Sequence, residues 1–255
     1  MSLDKYESLN QIIKKASNVC FFGGAGVSTG SGLLDFRSKD GLYNIKSKYG
    51  CSYEEMLSID YFLKRPITFY KFYKEFMIKD GVKPNKAHYT LAKFDEVYNN
   101  LSIVTQNIDG LHQLAGSSKV TEIHGTIYNN FCPKCYKQYG IKKIIDSDPL
   151  PRCSCGGIIR PDVILYGEQL DSISWYEAAD AFSKAEVLII GGTSLNVYPA
   201  ADLIQYYKGN CLIIINKDVT PYDHLANFVF HEDIGEVLEK IMKIQWVLFK
   251  TNLFY

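Results

Sequence analysis

Three short apolar runs restrict what this chain can fold into more than any other feature. Residues 19 to 22 (VCFF), 187 to 192 (VLIIGG) and 211 to 216 (CLIIIN) stay apolar up to their last one or two residues. A strand with one wet face alternates, whereas a continuous apolar run belongs to a strand covered on both faces, the usual condition of a parallel sheet between helix layers. Segments with helical spacing can supply those layers: Leu9, Ile12, Ile13 and Ala16; Ala87, Leu91, Phe94 and Val97 after Pro84; and a stretch from Pro199 to Tyr207. Shorter strands are expected at Leu101 to Thr105, Val120 to Ile123 and Phe228 to Phe230, with a last helix from Ile234. The pattern predicts an α/β fold, a doubly wound parallel sheet carrying inserts.

The first run breaks into Gly23, Gly24, Gly26 and Gly30, a loop poor in side chains at a strand end. Such a loop lets backbone N–H groups approach a phosphate, and a helix starting just after it would add its positive end. The spacing Gly24-x-Gly26-x-x-x-Gly30 is not the usual G-x-G-x-x-G, and no acid follows a second strand about 20 residues later to hold a ribose. The same residues spell G-x-S-x-G around Ser28, the form of a hydrolase nucleophile elbow. That fold needs sheet strands and an oxyanion loop upstream, for which the residues before Ser28 leave little room. A purely structural glycine turn is the third reading. Asp35, Phe36, Arg37 and Ser38 then set an acid, an aromatic and a fixed cation where they can close over a bound dinucleotide.

Charge narrows the partners. Lys plus Arg equals Asp plus Glu at 28 each, so no bulk charge favours nucleic acid or an anionic membrane. The N-terminal residues lack the apolar core of a signal peptide and no run approaches the ~18 apolar residues of a span, so a cytoplasmic protein is expected. Four of the seven cysteines cluster as Cys132-x2-Cys135 and Cys153-x-Cys155, the second pair followed by Gly156 and Gly157. This approaches a two-knuckle zinc pattern with one spacer short in the second knuckle; a redox pair is the alternative. Four cysteines leave no open position for water, so one structural zinc ion is expected. Between the glycine loop and Gly81 the strand-like runs stop, and Phe69, Phe72, Tyr73 and Phe76 fall at helical spacing, the core of a small helical lobe.

Polar residues gather at strand ends. Gln106, Asn107, Ile108 and Asp109 follow the strand at 101 to 105, and His124 follows the one at 120 to 123. In open α/β sheets ligands lie outside the carboxyl ends of strands, which makes these a second wall opposite the glycine loop. A dinucleotide there can offer its nicotinamide amide to Asp109 and its ribose hydroxyls to Gln106 and Asn107. His124, with an ordinary pKa near ~6.5, suits a general base; a hydrogen-bonded turn histidine is the plainer reading. His88, His112, His224 and His231 are read as structural.

GAGVSTGSGLLDFRS, TQNIDGLH and EIHGT, in this order and spacing, resemble motifs of the sirtuins of bacterial type, the NAD-dependent protein-lysine deacylases. Leu34 stands where the family usually has Pro, Gly30 where it commonly has an acid, and Thr126 where Ser is common. The resemblance runs from residue 19 to 240. It implies a Rossmann-like domain at 1–35, 84–130 and 160–255, a helical lobe with a cofactor-closing loop at 36–83, and a zinc ribbon at 131–159. It implies NAD as co-substrate, with Gly24, Ala25, Gly26, Ser28, Thr29, Asp35, Phe36 and Arg37 on the first wall and Gln106 to Asp109 on the second. GTSLNVYPA places Gly192, Thr193 and Ser194 near phosphate, Asn216 near ribose, and Asp233 and Ile234 near adenine; their plainer reading is helix capping.

RPDVILYGE resembles the strand on which acyl-lysine peptides lie, through Ile164, Leu165, Tyr166 and Gly167; an ordinary edge strand is the alternative. The implied chemistry is attack of the acyl oxygen on C1′ of the nicotinamide ribose, loss of nicotinamide, and removal of a ribose hydroxyl proton by His124, with Phe36 shielding the centre. Members that prefer acidic acyl groups carry Tyr-x-x-Arg where this chain has Tyr70 and Tyr73, so acetyl is the expected group unless Lys71 or Lys74 points inward. Mono-ADP-ribosyl transfer, and a non-catalytic module binding NAD and zinc, are the rival functions.

Overall fold

The computed structural model describes residues 5–34 and 48–242. Asp35, Phe36, Arg37 and Ser38, and the apolar tail from Trp246, lie outside the described residues. The strands are β1 (Val19–Gly23), β2 (Leu101–Thr105), β3 (Val120–Glu122), β4 (Gly125–Phe131), β5 (Gln138–Gly140), β6 (Arg160–Val163), β7 (Val187–Gly191), β8 (Cys211–Ile215) and β9 (Phe228–Phe230). Six of them form one sheet in the order β3-β2-β1-β7-β8-β9, parallel at every pairing. Every residue of β1, β7 and β8 is buried, as continuous apolar runs require.

Alternate side chains of these strands serve two cores. Phe21, Ile103, Ile189 and Ile213 meet Leu9, Ile13, Leu91, Phe94, Val237 and Leu238 from helices Lys5–Lys15, Lys86–Tyr98 and Ile234–Met242. Phe22, Leu188, Ile190 and Ile214 face the other way, toward Phe182 and Ala178 of helix Ser172–Lys184 and Leu203 of the 3-10 helix Ala200–Tyr206. From β1 the chain moves to β2 and β3 on one side and returns to β7 on the other, so the order reverses between β1 and β7. That crevice is where open α/β sheets bind ligands.

Three local expectations change. The loop after β1 does not open a regular helix; it winds through two 3-10 turns, Ala25–Val27 and Thr29–Ser31. The segment from Pro199 is 3-10 rather than α. Helix Ser172–Lys184 has no counterpart in the sequence reading, because Ile173 and Tyr176 are exposed and only Ala178 and Phe182 are buried, which blurs the apolar period. Its start was nonetheless marked by Asp171, whose carboxylate accepts from Ser174 N–H at 2.8 Å.

The remaining strands form a small antiparallel sheet, β5-β4-β6. Among the described residues the lobe includes helices Tyr53–Met56, Ile59–Lys64 and Pro66–Phe76. Its buried Phe69, Tyr70, Phe72 and Tyr73 pack in one cluster with Cys132, Cys153 and Ile159, so lobe and small sheet share a core. Among the described residues no helix is long and apolar enough to cross a membrane.

Candidate active site

The two glycine segments at the switch point touch through their backbones. Gly24 N–H donates to Gly191 O at 3.1 Å and Gly26 N–H to Gly192 O at 2.8 Å. A Cβ on Gly26 would stand 2.7 Å from Gly192 Cα, and one on Gly192, whose φ is +60, would stand 2.4 Å from Val27 N. Glycine is required here because loop packs on loop; close approach to a phosphate was the sequence expectation for the same residues. Asn85, the N-cap of helix Lys86–Tyr98, braces the first loop by donating to Val27 O at 2.8 Å and Ser31 Oγ at 3.0 Å. The sequence reading passed over Asn85, for which a cap before a helix was the available signal. Gly30 and Thr29 are exposed on the outer side of the loop, and Thr29 Oγ1 donates back to Gly26 O.

Beside this loop the polar residues after β2 converge. Ser28 Oγ donates to Asp109 Oδ2 at 2.6 Å and accepts from Asn107 Nδ2 at 3.0 Å. Asp109 Oδ1 accepts from Leu111 N–H at 3.0 Å. Burial pushes the Asp109 carboxyl above its usual range, an effect these two donors partly offset. Ser28 is thus fully committed between two neighbours, without a histidine at its hydroxyl, and the nucleophile-elbow reading falls. Gln106 Nε2 donates to Thr193 Oγ1 at 3.1 Å and ties the second wall to the loop after β7. Ile108 O accepts from Ile127 N–H at 3.0 Å, joining the same wall to β4.

His124 closes the site. Its Nδ1 lies 3.0 Å from Gln106 O, and a carbonyl oxygen only accepts, so Nδ1 carries the hydrogen. In the neutral ring the basic nitrogen is therefore Nε2. Gly125 follows at φ +77, and a Cβ there would lie 2.0 Å from Asp162 O, which leaves no other residue for this turn. The buried rings of His88 and His112 stand 4.8 Å apart, and burial pulls them down to about 4 and about 3, so both are uncharged at neutral pH.

The outer end of the crevice is looser. Asn216 follows β8 and its Nδ2 donates to Asp218 O at 2.8 Å; Asp233 is exposed, and its Oδ1 accepts from Gly235 and Glu236 N–H, capping the last helix. Ile234 is buried against Gly191, whose added Cβ would meet its Cδ1 at 2.4 Å. Ser194 is half-buried beside them. Strands β2, β1, β7 and β8 are consecutive, so polar groups at their carboxyl ends span three gaps of ~4.8 Å, about 14 Å in all. That length and donor set suit an extended dinucleotide.

Residues 164 to 167, expected to continue as a strand that pairs with a peptide, lie beyond β6, which ends at Val163, and most of their amide donors are taken. Ile164 N–H donates to His124 O, Tyr166 N–H to Leu57 O, and Leu165 N–H to Glu168 Oε2 at 2.8 Å. Tyr166 O in turn accepts from Ile59 N–H. Among the described residues, the main-chain groups of this segment without a hydrogen-bond partner are Ile164 C=O and those of Gly167.

The four cysteines meet as predicted. The sulfurs of Cys132, Cys135, Cys153 and Cys155 all lie within 4.8 Å of one another, with Cys132 to Cys155 and Cys135 to Cys153 at 3.5 Å. Four ligands about 2.3 Å from a tetrahedral zinc would be ~3.8 Å apart, so the cluster fits one such ion. The Cys155 backbone N–H and the Tyr139 hydroxyl, 3.0 Å from Cys153 Sγ, pull the Cys153 thiol below its usual value.

A profile of the Sir2 family matches residues 24–199. An NAD-dependent protein deacetylase of Clostridium acetobutylicum is 50% identical over 242 residues, covering 94% of this chain and 99% of the relative. A solved structure described as Sir2 with a p53 peptide and NAD+ superposes with a TM-score of 0.82 at 35% identity, covering 95% of this chain and 98% of that one. Another, Sir2 bound to an acetylated peptide, gives 0.81 at 34%, covering 94% and 98%. The matched range includes the switch-point glycines, the wall after β2, the histidine turn and the cysteine cluster, and this chain belongs to the Sir2 family, the sirtuins.

Proposed function

We propose that the protein is an NAD-dependent protein-lysine deacetylase. The observation that carries this reading is the histidine turn: Gln106 O fixes the His124 tautomer beside the Ser28, Asn107 and Asp109 cluster, so Nε2 is the nitrogen able to take a hydroxyl proton. Bound NAD supplies a ribose that exchanges nicotinamide for the acyl group of the lysine. Asp109 and Asn107 hold the nicotinamide end, and Gly24 to Thr29 with Gly192 to Ser194 hold the phosphates. Asn216, Asp233 and Ile234 face the adenosine. Asp35, Phe36 and Arg37, outside the described residues, are assigned to the same cofactor by the family resemblance. Ile164 and Gly167 pair with the peptide main chain, with Leu165 and Tyr166 fixing the segment from behind.

The acyl group is neutral, acetyl first. Tyr70 and Tyr73 are fully buried, with the Tyr70 hydroxyl bonded to Ile159 O; Lys71 is exposed, and Lys74 donates to Ser147 O. Neither lysine is placed to receive a distal carboxylate. One structural zinc sits on Cys132, Cys135, Cys153 and Cys155, and the protein works in the cytoplasm. Mass spectrometry of an acetyl-lysine peptide incubated with the protein, with and without NAD, tests the reading. Acetyl loss only with NAD, abolished in His124→Ala, is expected; ADP-ribose mass added to protein without acetyl loss would replace it with ADP-ribosyl transfer.

A further inference from the structure

Behind the wall after β2 stands a second acid that the chemistry above does not use. Glu122 is the last residue of β3, in register with Thr105 and two residues before His124. Its Oε1 is buried and has no hydrogen-bond partner. The groups acting on it come from every element around it: Asp109 and the Gly110 N–H from the wall, Gln113 from the turn Leu111–Leu114, and Thr126 and Tyr128 from β4. Glu177 of helix Ser172–Lys184 engages the neighbouring Thr121 instead, and His124 is bonded to Gln106 O. Among the described residues none of these groups is a cation. The Tyr128 ring lies over Gly110, where an added Cβ would meet it at 2.6 Å.

Two half-buried carboxyls that repel each other, with no cation beside them among the described residues, are costly to ionise together, so one of them holds a proton more tightly than usual. Asp109 has two close donors for its anion, Ser28 at 2.6 Å and Leu111 N–H at 3.0 Å; Gln113, Gly110 N–H and Thr126 favour the Glu122 anion less than burial and the Asp109 charge oppose it, and its buried Oε1 has no partner. The proton therefore belongs on Glu122. The nicotinamide ring of NAD+ carries a fixed positive charge that disappears when the bond to ribose breaks and its electron pair stays with the ring nitrogen.

We propose that Glu122 is the proton-linked counter-charge of the site, giving its proton to solvent when the cationic ring of NAD+ settles against Asp109 and taking one back once neutral nicotinamide leaves. The inference rests on the NAD reading above and adds a residue and a proton to it. Burial first and the Asp109 charge second push the Glu122 carboxyl up to about 7, so the exchange falls at neutral pH. Raising the pH ionises Glu122 in the unliganded protein, so NAD+ should bind more tightly as pH rises. For a group half protonated near pH 7 the linkage predicts release of about half a proton per NAD+ at pH 7 and about tenfold tighter binding at pH 8 than at pH 6.

Isothermal titration calorimetry of the zinc-loaded protein, in buffers of different ionisation enthalpy, counts that proton. NADH, identical but for its uncharged ring, should release none. Glu122→Gln should bind NAD+ without proton release and with little dependence on pH, while Glu122→Asp, which keeps an acid, should still release. Equal release with NAD+ and NADH, undiminished release in Glu122→Gln, or none in the parent would overturn the inference while leaving NAD binding intact. Failure of both nucleotides to bind would overturn the cofactor reading itself.

Discussion

Gly26→Ala tests whether the switch point is built by two loops packing backbone to backbone. The new Cβ would lie 2.7 Å from Gly192 Cα and 2.9 Å from Gly192 O. Neither atom can swing away, because Gly192 N–H is itself bonded to Ile215 O at 3.0 Å, at the end of β8. Relieving the contact parts the loops by about 1 Å and breaks the 2.8 Å bond from Gly26 N–H to Gly192 O. Overpacking of a tight site costs ~1–3 kcal/mol and a lost hydrogen bond ~1, so about 2–4 kcal/mol is expected. At ~2–4 °C per kcal/mol for a chain of this size, the melting temperature should fall by roughly 5–15 °C. Gly30→Ala is the control: its Cβ would meet only the Asn85 side chain, 3.2 Å away. Asn85 can yield by a few tenths of an ångström, and a change within about 3 °C is expected. Thermal unfolding followed by circular dichroism, both variants loaded with zinc, makes the comparison. A Gly26→Ala melt close to the parent's, or a Gly30→Ala melt depressed as far, would refute the argument.

Two further outcomes follow from the lobe and the small sheet. Stripping the metal with a chelator, checked by metal analysis, should lower the melting temperature and abolish deacetylation although the ion does no chemistry, since Cys132 and Cys153 belong to the cluster that holds Phe69 and Tyr73. Glu168→Ala should destabilise by about 2–3 kcal/mol in a denaturant titration, because it strands Arg160, whose guanidinium meets both Glu168 oxygens at 2.6 and 2.8 Å, and frees Leu165 N–H. Burial pushes the Glu168 carboxyl up, but Arg160 and Leu165 N–H outweigh it and hold the group below its usual 4.5. Its contribution is therefore complete above that value and lost as pH falls through the lower folded one, a loss that Glu168→Ala should no longer show.

The sheet was legible because fully buried strands write themselves as unbroken apolar runs; β1, β7 and β8 lie where VCFF, VLIIGG and CLIIIN stand. The metal site was legible for a similar reason, as four cysteines at knuckle spacing have few other uses in one place. What stayed hidden depends on contacts between distant residues. The glycines suggested a phosphate cradle, yet Gly26 needs Gly192, 166 positions away, before its lack of a side chain has a physical cause. Helix Ser172–Lys184 buries too few residues to show a period, and β4 mixes buried Ile127 and Asn130 with exposed Tyr128 and Asn129 across a register shift. Phe69, Phe72 and Tyr73 were legible as lobe core from their helical spacing, but that this core is shared with the ribbon was not. Glu122 left no local trace at all, since its meaning is its nearness to Asp109.

One strand explains why a metal that takes no part in the chemistry bears on it. β4 begins at Gly125, next to His124, and ends at Phe131, next to Cys132, so the proposed base and the first cysteine of the cluster are the two neighbours of a single element. At 3.3 Å per residue the strand is a rod of about 20 Å. It is pinned along its length by Ile127 N–H on Ile108 O, within the wall that carries Asp109, and by pairing with β6 from Gly125↔Val163 to Phe131↔Arg160. Arg160 then joins Glu168, and Glu168 accepts from Leu165 N–H, so the peptide-facing segment is tied to the same rod. Loosening the cysteine end leaves the glycine loops on β1 and β7 untouched while freeing the histidine end to move. Metal loss should therefore weaken proton transfer and peptide placement before it weakens the hold on the nucleotide phosphates.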